Sequence, residues 1–172
     1  GLEDIIALVA LYRPGPMENI PKFCRVKNKI QDREFIHPSI DKLLDETQGI
    51  IVYQEQVMEI ARKMAGYTLG QADLLRRAMG KKIKKDMDAE RPRFISGALK
   101  NNIDELLANR VWLLLEKFAN YGFNKSHAAA YALVSYQTCW LKANYPIEYM
   151  AAVMNNDINY TDKISLYKHE VN

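Results

Sequence analysis

The last third of the chain constrains the fold most. Asn124 is placed to cap one long helix to about Ala143, and Pro146 opens another through Met154 that Asn155-Asn156 ends. Apolar residues at helical spacing recur upstream. They fall in Leu2–Leu11, with Glu3 and Asp4 in the first turn, and at Val57, Ile60, Ala61 and Met64 ahead of Gly66. Thr68-Leu69-Gly70-Gln71 has the form of a capping box and predicts a helix that Gly80 ends, and Phe94–Lys100 and Ile103–Ala119 read as two more, separated by Asn101-Asn102. Pro92 puts a helix across 86–98 in doubt and is expected to fit better at the first position of the following one.

Gly49-Ile50-Ile51-Val52-Tyr53 is β-branched and aromatic but runs straight into a helical pattern, so at most a short strand is expected near 50–53. Arg13-Pro14-Gly15-Pro16 halts the first helix, since the residue before each proline is pushed out of the α region. From Met17 to Gln48 the pattern is irregular, broken by Pro21 and Pro38, with a helical turn expected around Ser39–Asp45. With no βαβ alternation, internal repeat or low-complexity tract, the fold class is mainly α. One unit spans 1–172: an irregular first part with its corner (1–48), helices with a basic patch (49–100), and C-terminal helices (101–172).

The 172 residues carry a net charge of only +3, but its distribution is uneven. Residues 76–100 hold +6, while 1–75 and 146–172 each hold −2, so one window forms an anion-seeking patch on a near-neutral body. Cys24 and Cys139 offer neither a zinc spacing nor a disulfide framework and read as free thiols. No apolar run nears the ~20 residues that span a bilayer, and no signal-peptide pattern is present, so a soluble cytoplasmic protein without membrane partners is expected. The start at Gly1, inside an apolar-periodic segment, leads us to expect a piece of something longer.

Two constellations have chemical potential. In Asp73-Leu74-Leu75-Arg76-Arg77-Ala78-Met79-Gly80-Lys81-Lys82 the adjacent arginines point about 100° apart on a helix. Either Asp73 pairs with Arg77 four residues on and the lysines are a solvated face, or the guanidinium groups form a fork for phosphate with Lys81 and Lys82 beside it as point charges. In Tyr121-Gly122-Phe123-Asn124-Lys125-Ser126-His127 the cap leaves backbone amides at a helix N-terminus, a geometry that binds anions. His127, Tyr131, Ser135 and Thr138 would continue it as a polar stripe; a capped core helix with a hydrogen-bonded histidine is the plainer alternative.

Arg13 in its rigid corner is either punctuation or an arginine held toward a ligand. Asp86-Met87-Asp88 has the Asp-x-Asp form that holds magnesium in nucleotidyl transfer, but follows lysines rather than an apolar strand and reads as surface. His37 has no ligand-spaced partner, and no nucleophile triad or phosphate-binding glycine loop is present. The chain has groups that bind phosphate and none that clearly perform chemistry. No metal site is expected within it.

Taken together, Arg-Pro-Gly-Pro-Met (13–17), Gly-Ile-Ile-Val-Tyr-Gln-Glu-Gln-Val-Met (49–58), Ala-Asp-Leu-Leu-Arg-Arg-Ala-Met-Gly-Lys-Lys (72–82) and the segment from Tyr121 to Thr138 resemble the fingers region of bacterial replicative DNA polymerase III alpha subunits, the C-family polymerases. The resemblance implies a helical fingers domain that closes on an incoming dNTP against template-primer DNA, within a longer alpha subunit and its replisome. It implies triphosphate contacts for Arg76, Arg77 and the segment Asn124, Lys125, Ser126 and His127. Lys81 and Arg13 are nucleotide-site candidates beside them, and Lys82, Lys84 and Lys85 are candidates for DNA. Catalytic aspartates and their Mg2+ would belong to a palm outside this chain. On that reading the isolated chain is inactive. A stand-alone helical module that grips nucleic-acid backbone is the competing expectation.

Overall fold

The computed structural model describes residues 1–80, 84–119 and 121–171. Among them it has ten α-helices: α1 (Leu2–Leu11), α2 (Ile20–Lys27), α3 (Pro38–Asp41), α4 (Gln54–Ala65), α5 (Leu69–Gly80), α6 (Lys84–Lys100), α7 (Glu105–Ala119), α8 (Lys125–Asn144), α9 (Pro146–Asn156) and α10 (Thr161–Val171). The one β feature among the described residues is an isolated parallel bridge between Tyr53 and Phe123. The mainly α expectation holds.

Local signals placed several boundaries well. Gly66 ends α4 in the left-handed conformation at φ 69°. Thr68 and Gln71 make both capping-box bonds, at 2.9 and 3.3 Å. Asn124 accepts the His127 amide at 2.8 Å, as a cap should.

The first part is more helical than the sequence suggested. Pro21 falls in the first turn of α2, where a missing N–H costs nothing, and Phe23 and Val26 bury on that helix. A 3-10 segment over Lys42–Thr47 extends the turn expected near Ser39.

Pro92 corrects a second expectation, because α6 runs through it from Lys84 to Lys100. The ring deprives the Asp88 carbonyl of its donor, but both residues are exposed, which keeps the cost of the lost bond low. Met87, Phe94 and Ala98 bury from this helix, and that packing overrides the local penalty. Helix α10 had no counterpart in the sequence reading.

The larger core joins α3 to α7 around Trp112, Phe94, Ile60, Met64, Leu75 and Leu115. The Phe94 and Trp112 rings sit 5.4 Å apart. Here α4 and α6 meet so closely that a Cβ on Gly97 would lie 2.1 Å from the Ala65 carbonyl oxygen. A smaller core sets α1 against α2, the extended segment 50–53 and the start of α8, with Leu11, Phe23, Val52, Tyr53 and Ala128 inside.

Candidate functional site

The four motifs converge on the turn that leads into α8. Segment 52–54 brackets Phe123: the Phe123 amide donates to the Val52 carbonyl at 3.3 Å, and the Gln54 amide to the Phe123 carbonyl at 2.9 Å. The Gln54 side chain donates to the Gly122 carbonyl at 3.2 Å. Buried Gln56 holds the same segment, its Oε1 accepting from the Val52 and Tyr53 amides at 2.8 and 3.0 Å while its Nε2 donates to Thr47 Oγ1 at 2.8 Å. The turn is thus fixed from the first turn of α4.

Arg13 fixes it from the other side. Its Nη2 donates to the Tyr121 carbonyl at 2.6 Å, its Nε to the Ala10 carbonyl at 3.0 Å, and its guanidinium lies 4.5 Å from the centre of the Phe123 ring. Burial lowers its pKa from the ordinary arginine value. Gly15, at φ 99°, lies beneath the Tyr121 ring, where a Cβ would come within 2.1 Å of a ring carbon. In the structure the Arg13 guanidinium is engaged by the Ala10 and Tyr121 carbonyls and the Phe123 ring.

At the α8 N-terminus the expected anion is supplied by the protein. Glu55 accepts the Lys125 amide at 3.0 Å through one oxygen and the Asn124 side-chain amide at 2.9 Å through the other. Lys125 Nζ pairs with Glu46 at 2.6 Å and lies 5.5 Å from the Tyr53 ring centre. Ser126 and His127 are exposed, with the His127 ring between Phe123 and Tyr131 at 5.5 and 4.7 Å. Further along, Ser135 and Thr138 donate their hydroxyls to the Tyr131 and Ser135 carbonyls of their own helix.

Asp73 engages both arginines. Its Oδ1 receives Nε and Nη2 of Arg76 at 2.8 and 2.6 Å, and its Oδ2 receives Nε of Arg77 at 2.8 Å. The Arg76 hydrogen bond, with the nearby Arg76 and Arg77 charges, lowers the Asp73 pKa from 3.8. One carboxylate thereby orders two guanidinium groups that helix geometry alone would splay. Arg76 is partly buried and shares a small cavity with Gln54, Val57, Met79, Phe118 and Gly122, which sets it beside the turn before Asn124.

Lys81 and Lys82 lie outside the described residues, as do the side chains of Lys84, Lys85 and Asp86; Asp88 is exposed. Among the described residues, no three His, Cys, Asp or Glu side chains gather at one point. No described helix is long and apolar enough to cross a membrane. Sequence reasoning missed Glu46 and Glu55, whose partners lie 69 to 79 residues away, and Gln56, which holds the nearby segment 52–53 from inside the first turn of α4. The unusual run Tyr53-Gln54-Glu55-Gln56 before an apolar helix was the available signal.

This is a helical domain built around a pinned turn, with paired arginines beside it. Residues 1–102 match the family described as bacterial DNA polymerase III alpha subunit finger domain. The chain is 54% identical over 169 residues to the DNA polymerase III subunit alpha of Rickettsia felis, a match covering 98% of this chain and 14% of that protein. The Caulobacter vibrioides subunit alpha is 54% identical over 98% of this chain and 15% of its own length; that of Pasteurella multocida is 57% identical over 94% and 15%. The chain therefore belongs to the finger-domain family of bacterial DNA polymerase III alpha subunits. It spans about one-seventh of the length of these relatives.

Proposed function

We propose that the chain acts as the fingers of a cytoplasmic, template-directed DNA polymerase, binding the triphosphate of an incoming dNTP beside template-primer DNA. The observation that carries this reading is the Asp73 fork. It binds Nε and Nη2 of Arg76 and Nε of Arg77, and so orders both groups before any ligand arrives; the guanidinium nitrogens that Asp73 does not hold would take the phosphate oxygens. Phosphoryl transfer rests on positioning and charge neutralisation, work that ordered arginines perform without themselves making or breaking bonds. His127 and Ser126, exposed at the start of α8, flank the same turn and complete the nucleotide face. Lys125 joins them by leaving Glu46 for a phosphate oxygen. The lysines at 81, 82, 84 and 85 are, by sequence, the candidates for DNA. Magnesium and the catalytic carboxylates belong, in this reading, to the rest of a longer alpha subunit working within a replisome.

Primer extension by the full-length polymerase tests the reading. Arg76→Ala and Arg77→Ala should each raise the KM for dNTP or lower kcat. Unchanged steady-state constants in both variants would refute it. Steep salt dependence of DNA binding with no response to added dNTP would instead favour a backbone-binding module.

A further inference from the structure

The cations of the nucleotide face are held in two different ways. Asp73 orders Arg76 and Arg77 from their own helix without engaging all of their nitrogens. Lys125 instead meets two carboxylates from distant parts of the chain. Glu55 accepts its backbone amide at 3.0 Å, and Glu46 accepts its Nζ at 2.6 Å. These three residues together bring one positive and two negative charges to the start of α8, the wrong balance for receiving a polyanion. Both acids also face Tyr53, whose hydroxyl pKa is raised first by burial and then by their charges.

The backbone holds Glu46 in place. It belongs to the 3-10 segment Lys42–Thr47, in which Leu44 and Thr47 are fully buried, and Thr47 Oγ1 accepts from Gln56 Nε2 at 2.8 Å. The Lys125 and Glu46 side chains are 40% and 34% exposed, so their ion pair is not locked in the core and is open to a competing anion.

We propose that Glu46 is a built-in competitor of the triphosphate: it occupies Lys125 until a phosphate oxygen takes the ammonium, and so sets the affinity for dNTP below what the cations alone would give. Two costs fall on the incoming nucleotide. A short ion pair is replaced, and the displaced carboxylate stays anchored beside the bound phosphates, where like charges repel. Glu55 has a different task, since its two oxygens close the helix start through the Lys125 amide and the Asn124 side chain. The inference rests on the reading of this face as a triphosphate site.

Equilibrium dNTP binding to the full-length polymerase on a dideoxy-terminated primer-template, at one fixed ionic strength, tests it. Glu46→Gln keeps the size of the side chain and an acceptor oxygen but removes the charge, and should tighten the dNTP Kd by about three- to tenfold. A loosened fold would not bind more tightly. In a Lys125→Ala background the same substitution should gain less than about twofold, because no ammonium is left to compete for. An unchanged Kd in Glu46→Gln would overturn the proposal, and so would a weaker one, which would show that Glu46 presents Lys125 to the nucleotide. A gain that persists in full without Lys125 would also overturn it, assigning the effect to general repulsion. Arg76→Ala in the same assay separates this proposal from the reading beneath it. If that variant weakens the Kd while Glu46→Gln fails to tighten it, the nucleotide site stands and the competitor falls; if Arg76→Ala leaves the Kd unaltered, the nucleotide reading itself falls.

Discussion

The Arg13 guanidinium donates Nη2–H to the backbone carbonyl of Tyr121 at 2.6 Å, joining residues 108 positions apart. This bond ties the corner after α1 to the turn that starts α8. A charged donor on a carbonyl contributes roughly 1.5–3 kcal/mol, and stacking on Phe123 adds to it. Arg13→Ala should therefore destabilise the protein by about 1–3 kcal/mol in urea unfolding. Arg13→Lys should recover only part, since an ammonium cannot hold the carbonyl and cover the ring with one planar group. Wild-type stability in both variants would show that the corner is punctuation alone.

Glu55 closes the N-terminus of α8 by accepting from Lys125 and Asn124. Its removal frees a backbone amide at the positive end of the helix dipole. Glu55→Ala should speed hydrogen exchange at the Lys125 amide by about fivefold, corresponding to roughly 1 kcal/mol of local stability. Glu55→Gln keeps an acceptor and should fall between. Unchanged exchange in Glu55→Ala would place the carboxylate outside the capping of α8.

Gly97 is required by the approach of α6 to α4. A Cβ there would press on the Ala65 carbonyl oxygen, which is backbone and cannot rotate away. Gly97→Ala is expected to cost about 1–3 kcal/mol or more, although alanine is the better helix former. A rise in the unfolding midpoint would contradict the packing of these two helices.

Asp73 provides a pH signature. Its folded-state pKa lies below the ordinary 3.8, so its contribution to stability is present above that value and lost as pH falls through the lowered one. The stability difference between wild type and Asp73→Asn should be flat from neutral pH down to about 5 and should close only below the usual carboxylate range. A difference that closes above pH 4.5 would mean the arginine fork does not hold this carboxyl.

Much of this architecture was legible because its signals are local. Asn124, Gly66 and the Thr68–Gln71 box act within a turn of their own helices, and sequence spacing alone locates them. Pro21 and Pro92 misled for opposite reasons. Pro21 sits where a helix needs no donor, and Pro92 sits inside a helix anchored by distant packing through Met87, Phe94 and Ala98. The site was half legible. Arg76, Arg77 and the Asn124–His127 segment stand out by composition, and Asp73 lies within a turn of its arginines, whereas the carboxylates that hold the α8 start come from elsewhere: Glu46 and Glu55 are separated from Lys125 by 79 and 70 residues. No helical or strand period encodes such a pairing.

The central claim, that the Asp73-ordered arginines hold the triphosphate, is tested most directly by dNTP binding to the full-length polymerase on a dideoxy-terminated primer-template, where chemistry is blocked. Arg76→Ala should weaken the dNTP Kd by about 10- to 100-fold, the loss expected for a charge-assisted phosphate contact, with affinity for the primer-template unchanged. An unaltered dNTP Kd in that variant would contradict the account.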